Sequence, residues 1–384
     1  MLNFTYFNPV NIVFGKGQIT SLANLISADD MILMTYGGGS IKKNGLYERV
    51  KKALKKHNML EFGGIEPNPK FETLMKAVDI ARTEKITFLL SVGGGSVLDG
   101  TKFIAAAIHF AKGNEWDILS KQAPIEKTVP IGSVITLPAT GSEMNCGAVI
   151  SRNSSAEKLV FMNPQVYPKF SILDPETTFS LPKKQTANGI VDAFVHVTEQ
   201  YLTYPVNAPL QDRQAEAILL TLIEEGPKVL DNPEDYDVRA NLMWCATQAL
   251  NGNIACGVPQ DWATHMIGHE VTALYGLYHA QTLAVILPAM MQHQRNRKSE
   301  KLVQYAECVW GITENDQNRK INSAIEKTIG FFNSLGVPTS FKDYGIGMDG
   351  LNSIGSRIES RGMLLGEHHD IGKKEITEIL ELCV

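Results

Sequence analysis

Up to about residue 180 the apolar positions fall in short unbroken runs, each followed by a stretch with helical spacing. MILMTY (31–36) leads into GGGS and then the basic, periodic IKKNGLYERVKKALKKH. ITFLLSV (86–92) leads into a second GGGS and then VLDGTKFIAAAIHFAKG, and TVPIGSVITLPA (128–139) reads as another buried strand with a proline-marked end. Continuous apolar strands alternating with amphipathic helices predict a parallel sheet with helices on its faces.

The pattern changes near ILDPETTFSLPKKQ (172–185), which is rich in turn formers. Beyond it strand signal is almost absent, and helical periodicity covers 209–225, 235–252, 260–275, 281–295, 299–310 and 318–334. The expected organisation is therefore an α/β domain over 1–180 and an all-helical domain over 181–384. No repeat of solenoid period and no low-complexity tract interrupts it. Between Arg239 and Arg295 there is no Lys or Arg. Surface helices normally carry such residues, so this segment is expected to be buried, and its polar groups then need partners.

Composition narrows the picture further. At 384 residues, 44% hydrophobic and 20% charged, the chain is long enough for two domains and has globular make-up. A net charge of −5 offers no basic footprint for nucleic acid or an anionic membrane. The N-terminus lacks a signal-peptide layout, and the most apolar run, LAVILPAMM (283–291), is too short to span a bilayer. Five scattered cysteines without C-x-x-C spacing argue for a reducing compartment and against a thiolate zinc site. A cytoplasmic location is the expectation.

Each GGGS follows a predicted strand and opens a predicted helix, where a parallel sheet presents backbone N–H groups to an anion. Ser96 is expected to cap the second of these helices, with Asp99 completing a capping-box-like pair. The plainer alternative is a tight strand-to-helix turn with no ligand, and neither copy fits G-x-G-x-x-G. Two copies in successive units, with a third Gly/Ser/Thr turn in LPATGSEMN (137–145), favour phosphate binding.

Candidate metal chemistry lies in the helical half. Asp192 and His196 in GIVDAFVHVTEQY (189–201) share a helix face with Asn188 and Glu199, and that face has no Lys or Arg. His265 and His269 repeat the four-residue spacing, and Gly276 should end their helix and leave His279 opening the next. Such pairs are more often hydrogen-bonded core or polar faces, but three imidazoles and a carboxylate in cation-free surroundings also suit Fe²⁺ or Zn²⁺. Of the remaining histidines, His57 is expected to be exposed, His109 to pack on a helix, His293 to sit at a helix end, and His368 and His369 to lie on the surface.

Taken together, NIVFGKG (11–17), PNP (67–69), GGGSVLDGTK (93–102), ATGSEMN (139–145), GIVDAFVHVTEQY, HMIGHEVTALYGLYHA (265–280) and LPAMM (287–291) resemble the iron-dependent (group III) alcohol dehydrogenases. The similarity spans essentially the whole chain and is strongest to the NADPH-dependent aldehyde reductase/butanol dehydrogenase branch. It implies a Rossmann-like dinucleotide-binding domain followed by a helical domain, the architecture shared with dehydroquinate synthase. It also implies metal ligands at Asp192, His196, His265 and His279, an additional histidine at His269, and a homodimer. For the cofactor it implies a pyrophosphate turn at Gly94, Gly95 and Ser96 with Asp99 nearby. Nicotinamide-side contacts would be Thr136, Thr140 and Ser142, and Lys158 would touch the ribose.

Two positions depart from the family pattern. Ala280 stands where many relatives have glycine. More informatively, NAD-preferring relatives carry an aspartate at the position of Gly39. Here Gly37, Gly38 and Gly39 are followed by Ser40, Lys42 and Lys43. A 2′-phosphate would be repelled by an aspartate and is accommodated without it, which predicts NADP(H). Otherwise Lys42 and Lys43 simply decorate an exposed helix.

The resemblance implies hydride transfer between NADPH and a small aldehyde, the metal polarising the carbonyl oxygen, with His269 as a candidate proton relay or a pocket-shaping residue. The rival on the same scaffold is an NAD-dependent polyol dehydrogenase of glycerol or propanediol type. A synthase acting on an anionic sugar would need cations that 240–294 does not supply. A non-catalytic sensor lacks any output module, and a phosphotransferase would need G-K-[ST] after the glycines.

Overall fold

The computed structural model describes residues 1–384. Eight strands form two sheets: β1 (Asn11–Phe14), β2 (Met31–Tyr36), β3 (Asn58–Phe62), β4 (Phe88–Gly94), β5 (Ile131–Leu137), β6 (Gly147–Arg152), β7 (Glu157–Met162) and β8 (Phe170–Leu173). Six of them make one parallel sheet in the order β1-β8-β5-β4-β2-β3, and β6 and β7 pair as an antiparallel hairpin. No strand follows residue 173, and no helix is long and apolar enough to cross a membrane.

Strands β2, β4 and β5 are mainly apolar because both faces of the sheet are covered, with Thr35, Ser91, Ser133 and Thr136 as buried polar exceptions. Leu33 and Leu89 point into one core, shared with helices Phe71–Thr83 and Gly95–Ala107. Ile32, Met34, Phe88 and Leu90 point into the other, shared with Leu46 and Val50 of helix Leu46–Ala53. This period of two is what a continuous apolar run needs when each face has its own cover.

Strand order puts the glycine turns side by side. The connection after β2 runs outward to the edge strand β3, whereas helix Gly95–Ala107 after β4 leads the opposite way to β5. Tyr36 stands in register with Val92, so Gly37–Gly39 and Gly93–Gly95 leave adjacent strands at the same level. Connections diverging from neighbouring strands make a topological switch point, the place where open parallel sheets bind ligands.

Two compact units divide the chain. One comprises Phe7–Leu181 with Pro233–Thr247, and the other Met1–Tyr6, Pro182–Asn232 and Gln248–Val384. Two segments thus belong to a unit that a single cut near 180 would not give them: most of helix Tyr236–Ala249, and the first six residues. In the helical unit, helix Lys183–Tyr201 is buried from Thr186 to Tyr201 apart from the half-buried Asn188. Phe194 packs between Phe331 and Phe332, with ring centroids 5.5 and 5.3 Å away.

Three local expectations need correction. Helix Gly95–Ala107 starts a residue before Ser96, its N-cap is Gly94, and no side chain caps it. Asp99 is drawn instead into tertiary hydrogen bonds with Ser142 and Val149, which outcompete a local cap. His109 lies beyond the end of that helix and is exposed rather than packed, and His57 is half-buried, with Nε2 at 3.1 Å from the Ile26 carbonyl.

Candidate functional site

Asp192 and His196 face the same way because they stand one turn apart on helix Lys183–Tyr201. His265 comes from helix Ala263–Tyr275, which Gly276 ends in the left-handed conformation (φ 68°). The short link that follows lets His279 open helix His279–His293. In this arrangement Asp192 Oδ1 is the common point. It lies 3.7 Å from His196 Nε2, 3.9 Å from His265 Nε2 and 3.8 Å from His279 Nε2.

Those separations are too long for hydrogen bonds. They are close to what a shared ion requires, since donors about 2.1 Å from a metal at tetrahedral angles lie about 3.4 Å apart. Asp192 Oδ1 is buried and has no hydrogen-bond partner, a costly state for a carboxylate oxygen unless a cation meets it. The ligand atoms of Asp192, His265 and His279 all lie within 4.8 Å of one another, and His196 joins them through the same carboxylate oxygen. Three nitrogens and one oxygen fit Fe²⁺ or Zn²⁺. A solvated polar stripe is excluded, because Asp192, His196 and His265 are all buried.

His269 is also buried, its ring centroid 5.1 Å from that of His279. It stands beside the cluster, one turn beyond His265.

The surroundings of His265 contain residues whose roles were not anticipated. Glu199 Oε2 accepts from His265 Nδ1, which fixes the tautomer that turns the Nε2 lone pair towards Asp192. Its other oxygen accepts from the backbone N–H of Thr264 at 2.6 Å. Burial, then the charge of Asp261, raises the Glu199 carboxyl, and the hydrogen bond from Thr264 N–H opposes that rise. Asp261 Oδ1 accepts from Ala263 N–H at 2.9 Å, and Oδ2 meets the ammonium of Lys298, itself buried. Between these two carboxylate anchors Trp262 is held at φ 62°, a conformation unusual for a bulky residue. Its ring centroid is 5.3 Å from that of His265. Glu199 shares the cation-free face already visible in the sequence; nothing there marks the backbone of Trp262.

In the sheet unit, Gly37–Gly39 and Gly93–Gly95 stand at the switch point. Gly39 has φ 95°, and a Cβ there would meet nothing within 4 Å. Ser40 is exposed, and Lys42 Nζ rests 4.9 and 4.8 Å from the ring centroids of Tyr36 and Tyr47. A Cβ at Gly95 would run into the Thr140 side chain, so glycine lets the helix start and the Thr140 turn touch. Gly94 and Ser96 complete the uncapped helix start, and Thr136 is buried near the end of β5. Lys158, on β7, donates to Asn68 Oδ1 at 3.0 Å.

Asp99 and Ser142 are spent mainly on one another and on the fold. Ser142 Oγ donates to Asp99 Oδ1 at 2.7 Å, and Val149 N–H donates to Oδ2 at 2.9 Å. The fully buried Lys102 sits at the centre of this network, and burial pushes its ammonium down to about 8 despite the opposing charge of Asp99. Lys102 carried a sequence signal that went unread: a single cation inside the otherwise apolar TKFIAAA.

A parallel sheet with twin glycine turns at its switch point, and a three-histidine, one-carboxylate cluster on buried helices, define a metal-dependent dinucleotide enzyme class. Residues 9–175 match the family described as iron-containing alcohol dehydrogenase, and 186–384 match its C-terminal counterpart. The chain belongs to the iron-containing alcohol dehydrogenase family. It is 56% identical over 374 residues to the NADPH-dependent aldehyde reductase YqhD of Escherichia coli K12, covering 97% of each chain. The crystal structure of that E. coli protein superposes with a TM-score of 0.99 at 54% identity, covering 100% of this chain and 99% of the other. NADP-dependent alcohol dehydrogenase 3 of Entamoeba histolytica is 44% identical, with coverage of 99% and 98%. NADH-dependent butanol dehydrogenase A of Clostridium acetobutylicum is 39% identical, with coverage of 99% of each.

Proposed function

We infer that this chain is an NADP-dependent, metal-dependent alcohol dehydrogenase and aldehyde reductase, moving hydride between NADP(H) and a small aldehyde or primary alcohol. The observation that carries the chemistry is Asp192 Oδ1, buried, without a hydrogen-bond partner, and 3.7 to 3.9 Å from three imidazole nitrogens. Asp192, His196, His265 and His279 would hold one divalent ion, Fe²⁺ or Zn²⁺. When bound, the ion supplies Lewis acidity towards a carbonyl oxygen and the nicotinamide supplies hydride.

The remaining roles fall to protein groups. Glu199 holds His265 in its metal-facing tautomer. His269, buried beside His279 and not among the four ligands, relays a proton. The sheet unit, Phe7–Leu181 with Pro233–Thr247, serves as the dinucleotide-binding domain and the helical unit as the metal and substrate domain. Gly94, Gly95 and Ser96, at an uncapped helix start, face the pyrophosphate. Thr136, Thr140 and Ser142, with Asp99 behind them, position the nicotinamide, and Lys158 the ribose. Gly37, Gly38, Gly39 and Ser40 receive the adenosine end. NADP is favoured over NAD because Gly39 presents no carboxylate and Lys42 is held nearby on two aromatic rings.

A homodimer and a cytoplasmic location complete the proposal. Exposed Met1, Leu2, Phe4, Tyr6 and Phe7 offer apolar surface for a second copy, and no disulfide joins any of the five cysteines.

The test is NADPH oxidation with a panel of short aldehydes, before and after treatment with a chelator. Metal-restorable oxidation supports the reading, and turnover indifferent to chelation contradicts it.

A further inference from the structure

The ammonium of Lys102 is enclosed by five oxygen atoms. Ser142 supplies its carbonyl at 2.7 Å and its hydroxyl at 2.8 Å. Asn145 supplies its carbonyl at 2.9 Å and Oδ1 at 3.1 Å, and the Gly147 carbonyl completes the set at 2.9 Å. An ammonium has only three N–H bonds. Five acceptors at these distances treat Lys102 as a small monovalent cation fixed to a helix, not merely as a hydrogen-bond donor.

Four of those oxygens belong to the turn that joins β5 to β6, and the fifth to Gly147, the first residue of β6. Without a cation, three carbonyl dipoles and two side-chain oxygens would converge on one another, and the turn would open. Asp99, one turn earlier on the same helix, grips the segment through Ser142 Oγ and Val149 N–H. Gly95, at the start of that helix, packs on Thr140. One rigid helix therefore carries the pyrophosphate turn at one end and ties down the nicotinamide-side turn two turns further along.

We propose that Lys102 is a positioning residue for NADP(H), its ammonium acting as a built-in cation that holds Thr140 and Ser142 at a fixed offset from Gly94, Gly95 and Ser96. The proposal rests on the cofactor assignment given above. It differs from a purely structural role in what it expects to move. Misplacing the turn weakens NADPH binding and leaves the metal cluster, built wholly from the helical unit, intact.

The experiment compares metal-loaded wild type with Lys102→Met, Lys102→Arg and Lys102→Ala, reading metal content, NADPH affinity by cofactor fluorescence, and separate KM values for NADPH and aldehyde. Lys102→Met should keep its metal, bind NADPH roughly tenfold or more weakly, and leave the aldehyde KM nearly unchanged. In Lys102→Ala, added propylammonium, which replaces the deleted atoms, should restore NADPH affinity where equal sodium chloride does not. Should the neutral variants fail to fold, Lys102→Arg decides: it keeps the charge but not the fit, and its NADPH KM should rise alone. Folded variants with wild-type NADPH affinity and KM overturn the proposal while the cofactor assignment stands. A wild type that binds no NADPH overturns both.

Discussion

His265 turns Nδ1 onto Glu199 and Nε2 towards Asp192, so a single imidazole is fixed between two buried carboxylates seven residues apart on one helix. Glu199 also caps Thr264 N–H, tying the ring and the start of its helix to the same carboxyl group. Glu199→Gln keeps the size but can satisfy His265 and Thr264 only one at a time. The variant should fold and lose about 10- to 100-fold in metal affinity, as outer-shell partners of metal-bound histidines commonly do. Competition with a chromophoric chelator reads this directly.

Gly39→Asp should turn the cofactor preference. The position has room, since a Cβ meets nothing within 4 Å, although φ 95° makes an aspartate cost of order 1 kcal/mol there. The carboxylate would repel a 2′-phosphate and grip a free ribose hydroxyl pair. The kcat/KM with NADPH should fall by about tenfold or more, while that with NADH rises. An unchanged ratio would remove Gly39 from the specificity argument.

His269→Ala should keep a full complement of metal, lose rate, and shift the pH profile of kcat, because the proposed site places His269 beside the four ligands and not among them. Loss of metal from this variant would make it a ligand instead.

Glu143 gives a pH prediction. It is buried, and burial raises its carboxyl above the ordinary glutamate value of 4.5, against the hydrogen bond from Thr247. From pH 4.5 upward the unfolded chain releases this proton before the folded one does. The folded state then binds more protons, and stability attributable to this group falls as pH rises towards the folded-state pKa. Glu143→Gln removes the charge and can still accept from Thr247. It should therefore be more stable than wild type at neutral pH, with the advantage vanishing below pH 4.5, as denaturant melts across pH would reveal.

Much of this was legible in the residue pattern. MILMTY marked β2 to the residue, because an apolar run between a polar segment and glycines leaves little choice of boundaries. The absence of Lys and Arg announced burial correctly around His265, but not around His279, which is half-buried and preceded by the exposed Leu274, Tyr275, Gly276 and Tyr278. The hairpin β6–β7 and the edge strand β3 went unread: their exposed or half-buried residues mix polar and apolar types, and pairing was decided by tertiary neighbours. Ser96 misled for a similar reason. Its capping pattern is local, whereas Asp99 was claimed by Ser142 and Val149, more than 40 residues away. Trp262 was not legible because the local cap from Asp261 is joined by one from Glu199, 65 residues before Thr264 in the chain.

The most direct test of the central claim is the metal-to-protein ratio of purified wild type beside Asp192→Ala, by elemental analysis. The geometry around Asp192 Oδ1 predicts one Fe or Zn per wild-type chain and almost none in the variant. A variant that is folded and still carries one ion per chain would contradict it.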